Sequence, residues 1–538
     1  MLDRTAATVA PALDGRGLDA ATVARIADGA APPPLCPGAL EAMEHTRRAA
    51  ERLAAEGARV YGRSTGVGAH RGLAVEDPGG AGHDLRLLLS HAGGTGDPLP
   101  ARQVRAMMLV RANQLLAAGS GSGPEIATAL VRALRAGVQP EVPEYGSVGT
   151  GDLTALAQLG LALFGHGTWS GDGTLGGRTV PGPLPLRSGD ALALMSSNAL
   201  TLGQSALAWH DLGIPLRAAH LVAALSLHAV DGSLEPYAPE VHAAHPHPAI
   251  ARAAARVRRL LGAGAGGTTV GGTTVGGTAV GGTTAGRATA GGATGVPGRP
   301  GGVPARVQDP FGFRCFPQAH GPATQAWSGL ERVLSIDLNS ATENPLIGWD
   351  DTTGAPLALH HGGFFTAPLT LALDRLDLAV LGTARLSAAR LSALGRPELT
   401  GLRSYLADAS TAGSGMMILE YSSASALAEI QACAAPAALG HVVLSQGLEE
   451  AATFATQAAR KSLRAAQAYR LVLACELVAA VRALRQRGTP PAPGTPAGRA
   501  YLRAAASLNP DMRDRPLTED VSTAASLLDE FADLTDED

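Results

Sequence analysis

Gly146-Ser147-Val148-Gly149-Thr150-Gly151-Asp152-Leu153 is the stretch of this chain whose reading decides the rest. Glycines on both sides of Thr150 allow a tight turn, because a residue without a Cβ accepts backbone angles that others resist. Thr150 carries the one hydroxyl inside the Gly149-Thr150-Gly151 triplet, so any chemistry the turn performs on itself must use it.

Outward from that turn, the composition points to helices. The 538 residues are 46% apolar but only 4% aromatic, with Ala and Leu dominating, which favours helices packed through small side chains. A net charge of -4 gives no reason to expect nucleic acid or an anionic membrane as partner. The basic residues are almost all arginine, Lys461 being the single lysine, and they form no patch. Cys36, Cys315, Cys433 and Cys475 lie far apart without a CxxC pair, so neither a zinc site nor a disulfide framework is signalled. The first residues lack the apolar segment of a signal peptide, and no run of 18 apolar residues occurs; a soluble cytoplasmic protein is expected.

Residues 1 to about 35 end in Pro32-Pro33-Pro34 and read as a loosely held arm. Residues 36 to 210 alternate short helical patterns with Gly-rich turns and form an expected N-terminal domain that bears the loop. One helix is clear: Pro100 opens it, Val104, Met107, Met108, Arg111, Leu115 and Leu116 repeat at helical spacing, and Gly119 closes it. From 211 to 490 the patterns lengthen; Phe365 to Leu394 and Glu449 to Arg487 predict long helices, the second stopping at Gly488. Such Ala/Leu-rich helices without heptad charges suit a bundle buried on several sides, often by other subunits. Inside it, residues 262 to 302 include the pentads Gly266 to Val270, Gly271 to Val275 and Gly276 to Val280, which read as a flexible low-complexity insertion. Residues 491 to 538 form an extension expected to end in a solvated acidic tail.

Several motifs flank the turn in order. They are Tyr61-Gly62-Arg63-Ser64-Thr65-Gly66-Val67-Gly68, Ser90-His91-Ala92-Gly93, and the run from Arg105 to Asn113. Gln308-Asp309-Pro310-Phe311-Gly312-Phe313-Arg314-Cys315-Phe316-Pro317-Gln318 comes next, then Asn339 to Ile347, then Leu448-Glu449-Glu450-Ala451. Together they resemble the histidine and phenylalanine ammonia-lyase family over roughly residues 40 to 490. That resemblance implies a mainly α-helical fold of the histidine ammonia-lyase-like (fumarase/aspartase) type, a long-helix bundle with a smaller N-terminal domain. It also implies a homotetramer with active sites shared between subunits. In the family the loop reads Gly-Ser-Val-Gly-Ala-Ser-Gly-Asp-Leu, and its Ala-Ser-Gly triplet cyclises to methylidene-imidazolone, an electrophile that stands in for a cofactor. This chain is one residue shorter there, so an equivalent group would come from Gly149, Thr150 and Gly151.

By the same resemblance Tyr61 is the general base, whose phenol must be tuned downward to act at neutral pH. Arg314 is expected to clamp a substrate carboxylate, with Asn198, Gln318 and Asn344 supporting by hydrogen bonds. His91 and Glu449 accompany the use of histidine in the family. The bland alternatives are a buried hydrogen-bonded tyrosine, an inter-helix ion pair for Arg314, a core histidine held by a backbone carbonyl, and a solvated glutamate. His242, His245 and His247 are interrupted by prolines and read as a structural turn, so no metal is expected. Around the triplet the family pattern is altered at Ser196-Ser197, Phe311, Gly363-Phe364-Phe365, Leu448 and Ala451, changes that together make the pocket less polar. Three functions remain open: a carbon–nitrogen lyase acting on an aromatic amino acid, an enzyme on the same scaffold that lacks the electrophile and works by Tyr61-led acid–base chemistry, and a silent scaffold or binding protein.

Overall fold

A computed structural model describes residues 12–75, 81–171, 181–263, 306–409 and 412–536. The described chain is mainly helical. Its helices are α1 (Ala20–Ala27), α2 (Pro37–Ala55), α3 (Ala81–His91), α4 (Ala101–Leu116), α5 (Pro124–Ala136), α6 (Leu153–Leu163), α7 (Asp190–Met195), α8 (Ala199–Ala229), α9 (Pro239–Ala244) and α10 (Pro248–Leu260). They continue with α11 (Phe311–Arg314), α12 (Phe316–Asp337), α13 (Ala367–Leu394), α14 (Pro397–Thr400), α15 (Met417–Cys433), α16 (Ala455–Arg487), α17 (Pro496–Ser507) and α18 (Thr518–Asp536). Three two-stranded antiparallel ribbons complete the described structure: β1 (Thr95–Pro98) with β3 (Pro143–Tyr145), β2 (Gln139–Pro140) with β4 (Trp169–Ser170), and β5 (Leu346–Trp349) with β6 (Pro356–Leu359).

The chain divides into two compact units that are not continuous in sequence. The first holds residues 1–212, 326–377 and 433–464; the second holds 213–325, 378–432 and 465–538. The expected boundary near 211 coincides with the first break, but two later segments return to the first unit. Nothing in a local pattern signals such a return, because it is set by which helix faces meet.

In the first unit α4 is buried on every side from Val104 to Leu116, polar residues included. Such a helix must satisfy its polar groups internally. Arg111 bonds the Leu194 and Ala193 carbonyls, and Asn113 donates to the Leu338 carbonyl at 2.9 Å. The helix ends at Leu116, three residues before the expected Gly119 stop, because Ala118 takes a left-handed conformation (φ 62°). The expected loose arm is partly ordered. Asp19 caps α1 through Thr22 N at 2.7 Å, and Val23, Ala24 and Ile26 bury against α4.

The second unit overturns the expected acidic tail. The α18 helix buries Ala524, Leu527, Leu528, Phe531 and Ala532 along one face and packs on α17. Glu519 and Asp520 sit in its first turn, where carboxylates favour the helix N-terminus. Apart from Asp520, which is buried against Arg515, the acidic residues therefore mark the solvent side of an amphipathic helix. The run Asp190–Ala229 has the length and hydropathy to cross a membrane, yet 83% of its most apolar window is buried inside the protein. The Gly/Thr-rich residues 264–302 lie outside the described residues.

Candidate active site

The turn at Thr150 is held from both sides. Gly149 and Gly151 adopt φ of 87° and 128°, angles that favour glycine. The Gly149 carbonyl accepts hydrogen bonds from Thr366 Oγ1 at 3.1 Å and Thr453 Oγ1 at 2.8 Å. Val148 O accepts from Phe454 N at 2.8 Å, and Ser147 O from Gln457 Nε2 at 2.9 Å. Thr456 Oγ1 donates to Ser147 Oγ at 3.0 Å. These anchors explain why α16 begins at Ala455, six residues later than the sequence pattern predicts. The backbone of Glu449 to Phe454 is drawn into the turn, with Phe454 at φ 56°.

Below the turn, Asp152 is fully buried. It accepts from Thr201 N at 2.8 Å and Thr201 Oγ1 at 2.9 Å, while burial pushes its carboxyl above the usual range.

Thr150 and Gly151 line a cavity of about 1060 Å³, ample for an amino acid. Tyr61, His91, Asn344 and Glu449 share it. So do Ser196, Ser197, Phe364, Phe365, Leu448 and Ala451, so most of the altered positions surround one space. Gly149 and Asn198 are not among its lining residues. Asn198 is 2% exposed and donates to the Phe364 carbonyl at 2.7 Å, which places it in the wall behind. Arg314 and Gln318 lie in the second unit and do not line this cavity. The Arg314 guanidinium lies 4.4 Å from the centre of the Phe311 ring, a cation–π contact at the position where the family has a tyrosine.

Three of the lining groups have defined hydrogen-bond partners. A carbonyl can only accept, so the 2.8 Å contact of His91 Nδ1 with Leu87 O puts the proton on Nδ1. His91 is thus held by a backbone carbonyl and still lines the cavity. Tyr61 Oη accepts from Gly68 N at 2.8 Å. Burial pushes the Tyr61 phenol above its usual range; the Gly68 N–H pulls it back, Glu449 adds to the rise and Arg71 opposes it. The net shift is opposite to the lowering that base catalysis requires. Asn344 Oδ1 accepts from His361 N at 3.0 Å and its N–H donates to Ser196 Oγ at 2.9 Å, leaving the side-chain NH2 to bind a ligand.

The sequence reading missed Thr366, Thr453 and the rim of Arg59, His70 and Arg71, and gave Ser147 no role of its own. Thr366 and Thr453 each lie within two residues of a quoted motif, but only the folded chain shows that both hydroxyls converge on one carbonyl. Among the described residues no group of three His, Cys, Asp or Glu side chains could hold a metal.

The aromatic amino acid lyase family matches residues 18–506. This chain belongs to that family. A histidine ammonia-lyase of Caldanaerobacter subterraneus is 30% identical over 525 residues, covering 96% of each chain. One from Anaeromyxobacter dehalogenans is 33% identical over 542 residues, covering 97% of this chain and 98% of its own. Among solved structures, histidine ammonia-lyase from Trypanosoma cruzi superposes with a TM-score of 0.82 at 22% identity, covering 97% of this chain and 94% of that one. The ergothioneine degrading enzyme ergothionase from Treponema denticola gives 0.81 at 22%, covering 98% and 99%. Tyrosine aminomutase from Streptomyces globisporus gives 0.83 at 24%, covering 98% of each chain. These likenesses share the fold.

Aromatic amino acid lyases use an electrophile built from their own loop, and the residues of this chain suit one. Thr150 faces the cavity, and the Gly149 carbonyl is gripped by two hydroxyls. Among the described residues, Gly151 N donates no hydrogen bond and remains available as a nucleophile. Glycine in place of the family's alanine also has a steric reason. A Cβ on Gly149 would lie 2.1 Å from Thr453 Oγ1.

Proposed function

We propose that this lyase eliminates ammonia from an aromatic amino acid, histidine being the substrate its cavity suits best. The observation that carries the reading is the meeting of Tyr61, His91, Thr150 and Glu449 around one space. Tyr61 takes the β-proton. His91 Nε2 accepts from one imidazole N–H and the Glu449 carboxylate takes the other side of the ring. The Asn344 NH2 supports the substrate carboxylate. Arg314 of a neighbouring subunit completes the carboxylate clamp in a homotetramer. Leu371 at 61% exposure, Ile418 at 56% and Tyr421 at 66% supply apolar surface of the kind that subunit contacts use. An electrophile made from Gly149, Thr150 and Gly151 supplies the pull on the amine or ring that turns a poor leaving group into a workable one.

The positive charge that a substrate ammonium brings lowers the Tyr61 phenol from its raised value, so the base is activated by the ligand it acts on. Incubation with L-histidine, L-phenylalanine and L-tyrosine, following ammonia and the ultraviolet band of the unsaturated acid, tests the reading. Fastest turnover of histidine is expected; no turnover of any of the three would remove it. Sedimentation tests the tetramer separately.

Two observations favour a second reading. The turn is a residue shorter than the family's, and the Tyr61 phenol is raised rather than lowered. An enzyme that forms no electrophile would use Tyr61 in acid–base chemistry on another substrate with a better leaving group. The intact mass decides: two waters lost supports the first reading, full mass the second.

A further inference from the structure

We infer that Thr366 and Thr453 are the catalytic residues for maturation of the turn, an oxyanion clamp that drives ring closure at the Gly149 carbonyl. The inference rests on the first reading above, in which Gly149-Thr150-Gly151 forms an electrophile. The two threonines are not the only hold on the loop, which is also anchored through Ser147 and Val148. Both are buried, at 8% and 5% exposure, and both reach the same oxygen, at 3.1 and 2.8 Å. Two donors at these distances on one carbonyl are the arrangement that stabilises a tetrahedral oxyanion.

The surroundings direct the hydroxyl protons. Thr366 Oγ1 and Thr453 Oγ1 are 3.0 Å apart, and Thr453 Oγ1 accepts from Ala455 N at 3.3 Å. Each hydroxyl has one proton, so either both point at Gly149 O, or one points at its neighbour and the neighbour at Gly149 O. In both arrangements the carbonyl receives a donor. Ala455 is the first residue of α16, a 33-residue helix, so the positive end of that helix adds to the field on the same oxygen.

The reaction balances without an added reagent. The Gly151 amide nitrogen adds to the Gly149 carbonyl carbon, and its proton moves to the carbonyl oxygen as the carbon becomes tetrahedral. That oxygen leaves as water with the Thr150 amide proton, creating a C=N bond. Thr150 Oγ1 then leaves as a second water with the Thr150 Cα proton, creating an exocyclic C=C bond that keeps the threonine methyl. Thr366 and Thr453 act on the first two events. They stabilise the negative oxygen and relay to it the proton that Thr150 N gives up, so each hydroxyl ends the step as it began.

The Gly149 position shows why the clamp and the altered triplet belong together. The clamp needs Thr453 Oγ1 within hydrogen-bond reach of the carbonyl, and a Cβ on residue 149 would occupy that space.

The test follows the full-length chain made by cell-free translation, with intact mass read over time and near-ultraviolet absorbance quenched by borohydride. The parent is expected to lose the mass of two waters. Thr366→Val and Thr453→Val should each slow that loss about 100-fold, the usual cost of one oxyanion donor. The double variant should keep its full mass, and Thr366→Ser with Thr453→Ser should mature at the parental rate. If the double variant does not fold, the single valine variants against their serine counterparts make the same comparison. A parent that matures alongside valine variants that mature equally fast would overturn the clamp alone. A parent that keeps its full mass would overturn the electrophile reading, and the clamp with it.

Discussion

Two buried arginine–glutamate pairs, one in each unit, behave differently. In the second unit Arg390 grips Glu476 through Nε and Nη2 at 2.6 and 2.8 Å, while Ser226 and Ser387 each donate to one carboxylate oxygen at 2.6 Å. All four donors converge on two oxygens, and nothing on the glutamate is left over. In the first unit Arg111 holds only one oxygen of Glu343, at 2.8 Å, and spends its other donors on Leu194 O, Ala193 O and Gln114. Glu343 Oε2 is buried without a partner. Burial pulls both guanidiniums down, but Glu476 more than restores Arg390, whereas at Arg111 burial prevails. The saturated pair fastens a bundle. The unsaturated pair stands behind the cavity, where Glu343 O accepts from His361 Nε2 at 2.8 Å and the next residue is Asn344. A wall that must position ligands tolerates an unfilled acceptor that a purely structural joint does not.

The largest effect is expected at the saturated pair. Glu476→Gln keeps the shape but offers one acceptor oxygen to donors that now use two, and it leaves Arg390 without its counter-charge. Urea denaturation should show a loss of about 3–5 kcal/mol. A loss below ~1 kcal/mol would mean that the carboxylate is not what joins these helices.

Asp190 extends the comparison to a carboxylate where burial wins on the acid itself. Burial pushes its carboxyl from 3.8 up to about 7, against the opposing pull of Arg187 N and Arg63. The folded state therefore binds a proton that the unfolded chain releases. The resulting stability is full below the unfolded value of 3.8 and is lost as pH rises through about 7. Asp190→Asn stays neutral throughout, so it should melt later than the parent at about pH 8, by roughly 2 kcal/mol, and like the parent at about pH 4. Equal melting at both pH values would show that Arg63 compensates the charge in full.

Glu343→Gln sharpens the contrast with Glu476→Gln. Its amide can place the NH2 where Oε2 already lacks a partner and keep the oxygen that faces Arg111. Arg111 also loses its counter-charge, so the expected cost is about 2 kcal/mol by the same denaturation assay, less than at Glu476 because only one carboxylate oxygen is in use. If both glutamine variants cost the same, the unpaired oxygen carries no information about the site.

The same contrast separates what was legible in the sequence from what was not. Motif order places Tyr61, His91, Thr150, Asn344 and Glu449 around one cavity, because loops that meet at a site carry residues chosen for chemistry. The ends of α13 and α16 at Leu394 and Arg487 were equally plain, since a helix stop is a local event. The start of α16 was not, because the carbonyl that captures Phe454 N lies some 300 residues upstream in sequence, at Val148. Nor was α18, where acidic composition hid an apolar face at helical spacing. Asn198 belongs to an altered motif, yet its amide is used by the Phe364 carbonyl, and no pattern shows which way a side chain is spent.

The smallest expected effect tests the cavity's own electrostatics. Glu449 raises the Tyr61 phenol and Arg71 lowers it, both across the cavity and neither by hydrogen bonding. If Tyr61 is the base, activity needs the phenolate, so kcat/KM rises with pH through the Tyr61 titration. Glu449→Gln removes a negative neighbour, and the rising limb should move to lower pH. Arg71→Gln removes a positive neighbour and should move it to higher pH. Each shift is expected to be about half a pH unit, the size of a charge felt through a partly wet cavity. The position of the limb is independent of how much either variant weakens binding, so a fall in rate from lost substrate contacts does not obscure it. Opposite shifts would assign the limb to Tyr61. Shifts in one direction would assign it to a group other than the phenol, and the base would have to be sought among the remaining lining residues, His91 first.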